Sequence, residues 1–165
     1  MEGIVRPGFL VAALLLSMGS TALAHGNRSC TVRAVAGDWA YLKTGTVILP
    51  TGAVPFAAVG RITLDHDGSL TGTQDNSVGG SVGKGELRGS WSLEPDCTCE
   101  MTVEVLDASS GALLRTVRMA VVFDDHGTEL RGIVTSLELP SGAILPQAIT
   151  GTARRLFPET RPGER

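Results

Sequence analysis

The chain has 165 residues, of which 42% are hydrophobic and 19% are charged, and its formal net charge is −3 at pH 7. This balance excludes an intrinsically disordered chain, and the slight acidic excess argues against nucleic acid as a partner. The length fits one domain once a leader is set aside. The 21 glycines and 8 prolines are typical of short strands joined by tight turns.

Residues 1–24 have the pattern of a secretory signal peptide. Arg6 precedes an apolar run over residues 9–16, and the small residues of Ala-Leu-Ala at 22–24 form a cleavage site. The apolar run is too short to span a bilayer stably. We therefore expect cleavage near Ala24 and a secreted or periplasmic mature form without a membrane span. An uncleaved anchor is the alternative.

The chain has 3 cysteines, Cys30, Cys97 and Cys99. In an oxidising compartment two of them are expected to pair. Cys30 precedes the first predicted strand and Cys97 ends a turn, whereas Cys99 already lies in a strand, so we predict a Cys30–Cys97 disulfide and a free Cys99. A soft-metal site built from the thiols is the alternative, although no histidine lies nearby in sequence.

Alternation of apolar and polar residues, punctuated by turn signals such as Asp67-Gly68, predicts eight strands and no long helix. The barrel domain is expected at 37–156, between an N-terminal segment at 25–36 and a flexible tail at 157–165. The glycine-rich segment 75–85 is expected to be a mobile loop or a bulged strand edge. The predicted strands are 37–49, 56–65, 69–75, 81–93, 98–106, 113–123, 128–138 and 146–155.

Eight antiparallel strands joined in sequence order favour an up-and-down β-barrel. Closure of the sheet removes the exposed edges that would otherwise pair with other chains. A β-sandwich is the alternative, because the number of strands alone does not distinguish the two architectures.

Gly37-Asp38-Trp39 begins the first strand, and Arg154-Arg155 ends the last. In a closed barrel these strands are neighbours, so either arginine can lie across the indole and close that end. In these features the chain resembles the lipocalins and the wider calycin group. Segments 59–72 and 87–97 also resemble a family of small exported bacterial proteins without an established activity. That resemblance implies a lipocalin-like or allene-oxide-cyclase-like barrel and implies no reaction.

The inward face of the middle strands is predicted to be almost wholly apolar, which suits a small hydrophobic ligand. Mobile turns, chiefly at 79–85, are expected to form the mouth of the lumen. A solid core without a cavity is the alternative. The predicted ligand-binding residues are Trp91, Met101, Val103, Val117, Met119 and Phe123.

Catalytic motifs such as G-x-S-x-G, H-E-x-x-H or a Walker loop are absent from the sequence. We therefore predict no catalytic residue, cofactor or metal and leave the oligomeric state open. A cyclase or isomerase that uses Tyr41, Glu86 or Arg88 inside the lumen is one alternative function, and a structural or adhesive surface module is another. The histidines at 66 and 126 are expected to be solvated turn residues, and His25 would bind copper only as a mature N-terminus.

Overall fold

The structure, a computed structural model, describes residues 30–124 and 126–156. The predicted signal peptide, His25 and the predicted tail lie outside the described residues. One short helix, α1 (Val32–Val35), precedes the strands. The strands are β1 (Gly37–Leu49), β2 (Gly52–Leu64), β3 (Ser69–Val78), β4 (Ser81–Leu93), β5 (Thr98–Asp107), β6 (Leu113–Phe123), β7 (Glu129–Glu138) and β8 (Gln147–Arg155).

Each strand pairs antiparallel with the next one in sequence, and β1 pairs with β8 to close the sheet into a barrel. The predicted eight-stranded up-and-down barrel is therefore confirmed, and the β-sandwich alternative is wrong. Side chains alternate between the barrel interior and solvent along each strand. Among the described residues, no helix is long and apolar enough to cross a membrane.

The segment 75–85, predicted to be a mobile loop or bulged edge, is a regular hairpin, so that prediction is wrong. β3 continues to Val78 and β4 starts at Ser81, with only Gly79 and Gly80 between them. Both glycines have positive φ angles, 58° and 91°. Two such residues form the kind of turn that matches the twist of paired strands. Residues 79–85, which were predicted to form the mouth of the lumen, are therefore the turn between β3 and β4 and the first residues of β4.

The barrel is least continuous between β7 and β8. These strands pair only from Glu129 to Ile133, and beyond that point β7 stays with β6. The side-chain amide of Gln147 donates to the carbonyl of Val134 over 2.9 Å and bridges part of the gap. This seam opens toward the end of the barrel opposite α1, where few backbone hydrogen bonds join the two strands.

Candidate ligand site in the barrel lumen

One end of the barrel is covered by α1 and by residues from β1 and β8. Trp39 is fully buried, and its indole N–H donates to the carbonyl of Val35, also fully buried, over 3.0 Å. The Trp39 ring meets Phe123 edge-on, with ring centroids 5.3 Å apart. We call this end, formed by α1, Trp39 and Arg155, the sealed end.

The two arginines predicted to lie across the Trp39 ring make other contacts. Arg155, paired with Trp39 in the β1–β8 register, donates to the carbonyls of Ala34 and Ala36 over 2.7 and 2.6 Å. Arg154 points outward and forms an ion pair with Glu129. Among the described residues neither arginine makes a cation–π contact with Trp39, so the expected stacking is wrong. Arg155 fastens α1 to the barrel through backbone carbonyls, which accept from a guanidinium fork.

Gly37 accommodates this arrangement. Its φ angle of 131° lies in a region that side chains rarely adopt, and a Cβ there would lie 3.2 Å from an Arg155 nitrogen. In the Gly37-Asp38-Trp39 motif, Gly37 therefore leaves space for the Arg155 side chain, and Trp39 points into the barrel. Asp38 faces outward, where hydrogen bonds from Thr63 and Arg61 lower the pKa of its carboxyl group.

A disulfide joins Cys30 to Cys97, the pairing that the sequence favours, and Cys99 is free and buried. The backbone N–H of Cys30 also donates to the carbonyl of Pro95. The chain before α1 is thereby attached to the β4–β5 turn at the sealed end. Burial raises the pKa of the Cys99 thiol to about 12, so this residue is a packed core side chain and a poor nucleophile. Because two thiols are bonded to each other, the alternative soft-metal site is wrong.

The lumen contains a cavity of about 40 Å³. Met101, Val103 and Met119, three of the predicted ligand residues, lie on its wall. Trp91, Val117 and Phe123 are buried on the inner face but do not border it. The remaining wall residues include Tyr41, Lys43, Ile62, Leu70, Leu87 and Leu130.

The interior is not almost wholly apolar, contrary to the prediction. Lys43 and Gln74 are the buried polar or charged residues of the described chain, only 7% and 3% exposed. The Lys43 ammonium lies 4.9 Å from the centroid of the Tyr41 ring, a cation–π contact. The Tyr41 hydroxyl donates to Oε1 of Gln74 over 2.9 Å. Lys43, Tyr41 and Gln74 therefore place polar atoms in the middle of the lumen.

Glycines on the strands beside β1 make room for Tyr41 and Lys43. A Cβ at Gly60 of β2 would lie 2.8 Å from the Tyr41 hydroxyl oxygen. A Cβ at Gly151 of β8 would lie 2.9 Å from Cγ of Lys43. Both distances are too short for a side chain, so these glycines admit the large side chains of β1.

Gln74 has one side-chain atom without a partner. Its Oε1 accepts from Tyr41, but its buried Nε2 has no hydrogen-bond partner in the described part of the chain. A buried amide N–H without an acceptor costs about 1 to 3 kcal/mol. Such a group is an unusual feature of a folded core and indicates a place where another molecule could bind.

Arg115 on β6 adds a second positive charge to this region. It is half-buried, and its guanidinium lies 5.9 Å from the centroid of the Phe56 ring. Burial and, to a smaller extent, the charge of Arg115 together lower the pKa of Lys43 to about 8. Burial also raises the pKa of Tyr41, a shift that Arg115 opposes. We call Lys43, Gln74 and Arg115 the donor cluster.

The sequence analysis missed the donor cluster although a signal was present. Trp39, Tyr41 and Lys43 occupy alternate positions on β1, and Leu70 and Gln74 share one face of β3. Extending the inward face from Trp39 or Leu70 would have placed Lys43 and Gln74 inside.

Of the polar residues proposed for an enzymatic lumen, only Tyr41 faces inward. Glu86 and Arg88 are exposed on β4, and Arg88 donates to Glu104 on the outer wall, so their inward placement is wrong. His66 is exposed in the turn after β2, and His126 lies in the β6–β7 turn, 4.0 Å from the Asp124 carboxylate. The histidines therefore lie in turns and away from the lumen.

A larger depression, of about 850 Å³, lies on the outer wall across β5 to β8. Its floor includes the half-exposed side chains of Val122 and Ile133. It lies on the outer wall along the strands, whereas the lumen cavity is lined by the inner faces of the strands and includes the buried Lys43. We therefore take the lumen as the candidate site.

No protein-family model matches this chain, and no curated protein does. Among the solved structures that are similar to it in shape are three with 14 to 15% sequence identity. EF1p2_mFAP2b bound to DFHBI is 15% identical, covers 79% of this chain and 98% of its own, and has a TM-score of 0.49. The redesigned β-barrel mFAP1 bound to DFHBI is 14% identical, covers 75% and 97%, and has a TM-score of 0.48.

The third structure is Rv2717c from M. tuberculosis, which is 14% identical, covers 74% of this chain and 93% of its own, and has a TM-score of 0.38. The closed strand order of the present chain defines its fold independently of these similarities.

Proposed function

We propose that this chain is an exported, lipocalin-like barrel that binds one small hydrophobic molecule in its lumen. The cavity between Tyr41, Lys43, Met101 and Met119 in the lumen is the observation that carries this proposal. Export is supported by the predicted signal peptide and by the disulfide, which is typical of oxidising compartments.

The size of the cavity determines how binding must occur. Its volume of about 40 Å³ is far below the roughly 300 to 1,000 Å³ of pockets that hold drug-sized ligands. A ligand therefore has to displace side chains, and the wall contains the residues best suited to move. Met101 and Met119 are unbranched and adapt to irregular shapes. The ligand would enter from the end opposite α1, beside the β7–β8 seam.

A neutral apolar probe tests this proposal directly. Retinol, followed by its fluorescence, should bind saturably and with little dependence on salt, because no ion pair is involved. Met119→Glu should weaken binding at least about 10-fold, since it places a charge against an apolar ligand. Val122→Glu is the matched control, because it adds the same charge to the outer face of the same strand.

Two results would contradict the proposal. If retinol shows no saturable uptake, the lumen is a solid core and the structural-module alternative is favoured. If Met119→Glu and Val122→Glu weaken retinol binding equally, the probe binds to the outer wall and not to the lumen.

A second function, the cyclase or isomerase alternative, is favoured by one observation. An ionisable residue forced inward is what an enzymatic lumen requires, and Lys43 is such a residue. With a pKa of about 8 it is partly neutral near physiological pH and could accept a proton. Turnover of a bound apolar substrate that is lost in Lys43→Met would favour this alternative over simple binding.

A further inference from the structure

Three polar side chains of the lumen, Lys43, Gln74 and Arg115, offer hydrogen-bond donors. Lys43 offers an ammonium group, Gln74 offers its unpartnered Nε2, and Arg115 offers its guanidinium. Oε1 of Gln74 already accepts from the Tyr41 hydroxyl, and Nε2 of Gln74 has no acceptor in the described part of the chain. The donor cluster therefore has spare hydrogen-bond donors.

The charge of the cluster is also uncompensated. Neither Lys43 nor Arg115 forms an ion pair with a carboxylate within residues 30–124 and 126–156. No aspartate or glutamate of this part of the chain is buried in the barrel. A buried cation without a counter-ion is costly, so a fold that keeps one has a use for it.

We propose that the lumen ligand carries a carboxylate, which binds Lys43 and the Gln74 amide while the apolar part of the ligand lies against Met101 and Met119. This inference rests on the proposed function and specifies its ligand as an amphipathic acid. A carboxylate accepts hydrogen bonds only, through two oxygens, and it supplies the missing negative charge. Arg115, farther toward the end opposite α1, adds attraction for the anion.

The positions of the residues support this assignment of head and tail. Lys43 is part of the cavity wall, and most of its neighbours on that wall are aliphatic or methionine side chains. The cavity therefore offers one cation on a largely apolar wall, which matches a molecule with one anionic group. Gln74 and Arg115 do not border the cavity in this structure. A neutral alcohol would satisfy one donor but leave the ammonium unpaired, and a cationic ligand would be repelled.

The test compares two probes of the same shape that differ at the head group, retinol and retinoic acid. Hydrogen bonds to charged groups contribute enough that retinoic acid should bind about 10- to 100-fold tighter than retinol. Lys43→Met should remove this preference, because it should lower the affinity for retinoic acid much more than the affinity for retinol. Lys84→Met is the matched control, because Lys84, the other lysine of the chain, is exposed on the outer wall beside Asp75.

A second variant keeps the inference testable if Lys43→Met alters the lumen. Gln74→Glu would place a carboxylate among the donors, so it should weaken retinoic acid binding more than retinol binding. Equal affinity of the two probes for the unmodified chain would overturn the inference while retinol binding still supported the proposed function. A preference for retinoic acid that survives both Lys43→Met and Gln74→Glu would overturn it as well. Failure of both probes to bind would overturn the proposed function together with the inference.

Discussion

Buried polar groups are paired at the sealed end of the barrel and left with spare donors in the middle of its lumen. The Trp39 indole and the Arg155 guanidinium both donate to backbone carbonyls of α1 and the residues around it. Among the described residues, Nε2 of Gln74 has no acceptor and Lys43 has no carboxylate partner. The first arrangement stabilises the fold, whereas the second reduces its stability.

This difference distinguishes buried polar groups that stabilise the barrel from buried polar groups that are available to a ligand. Both regions lie on β1, and both depend on neighbouring glycines that admit large side chains. Composition alone would therefore not distinguish them. What distinguishes them is whether each buried donor has an acceptor. The Trp39 indole N–H has one, whereas the Gln74 amide in the region of Lys43 does not. Replacing a cation in each of the two regions should accordingly have opposite effects on stability.

The largest effect is expected at the sealed end. Trp39→Ala should lower the free energy of unfolding by about 3 to 5 kcal/mol, because it removes a fully buried aromatic side chain and leaves a cavity. Urea denaturation followed by circular dichroism measures this loss. Trp39→Phe is the control, since it keeps a ring against Phe123 and loses the hydrogen bond to Val35 and only part of the buried volume. A loss below about 1 kcal/mol for Trp39→Ala would mean that this end is not part of the stabilising core.

The fold was predictable because its signals are local. Alternating residues and turn dipeptides such as Asp67-Gly68 define most strand positions, and closure follows from the need to remove edges. The errors have local causes too. Pro55 is atypical inside a strand, so the predicted strand began at 56 although β2 begins at Gly52. Gly79 and Gly80 form one tight turn, but they were grouped with the other glycines of 75–85.

The site was less predictable because it depends on pairing between strands. A lysine at an inward position is normally excluded from a core. Lys43 fits only because Gly151 lies opposite it on β8, and this register is not visible in the sequence of β1. The unpartnered atom of Gln74 is a property of all its neighbours together. Methionines on the wall, in contrast, were predicted because apolar alternation is a local pattern.

The next effect is expected when a cation is replaced by methionine in each region. Lys43→Met should raise the free energy of unfolding at pH 7 by about 3 kcal/mol, as a lysine whose pKa is lowered to about 8 opposes folding. Arg155→Met should lower it by about 1.5 to 3 kcal/mol, because two carbonyls lose a charged donor. Parallel urea titrations measure both values. The same sign for the two substitutions would abolish the distinction between the regions.

The pH dependence sharpens this prediction. The unfolded chain binds the Lys43 proton more tightly than the folded chain, so the penalty is complete below pH 8 and disappears above about pH 10.4. The advantage of Lys43→Met should therefore shrink over that window. Tyr41 and Arg115, the charged or titratable groups near Lys43, are present in both proteins and largely cancel in the difference. A gain that is constant from pH 7 to pH 10.4 would mean that Lys43 is solvated in the folded chain.

The smallest effect is expected for the pair formed by Tyr41 and Gln74. Because both partners are side chains, each can be removed separately, and the double variant Tyr41→Phe/Gln74→Leu leaves no unpaired polar atom behind. Tyr41→Phe should be destabilised by about 1 kcal/mol, because it leaves Oε1 of Gln74 unpaired. The double variant should recover at least this loss, because it removes both partners together with the unpartnered Nε2. The sealed end cannot behave in this way, since its acceptors are backbone carbonyls that no substitution removes. Additive losses in the double variant, measured by urea denaturation, would show that Tyr41 and Gln74 are stabilised by packing and not by their hydrogen bond. Tyr41 would then belong with Trp39 as a structural residue, and the functional region would contract to Lys43 and Arg115.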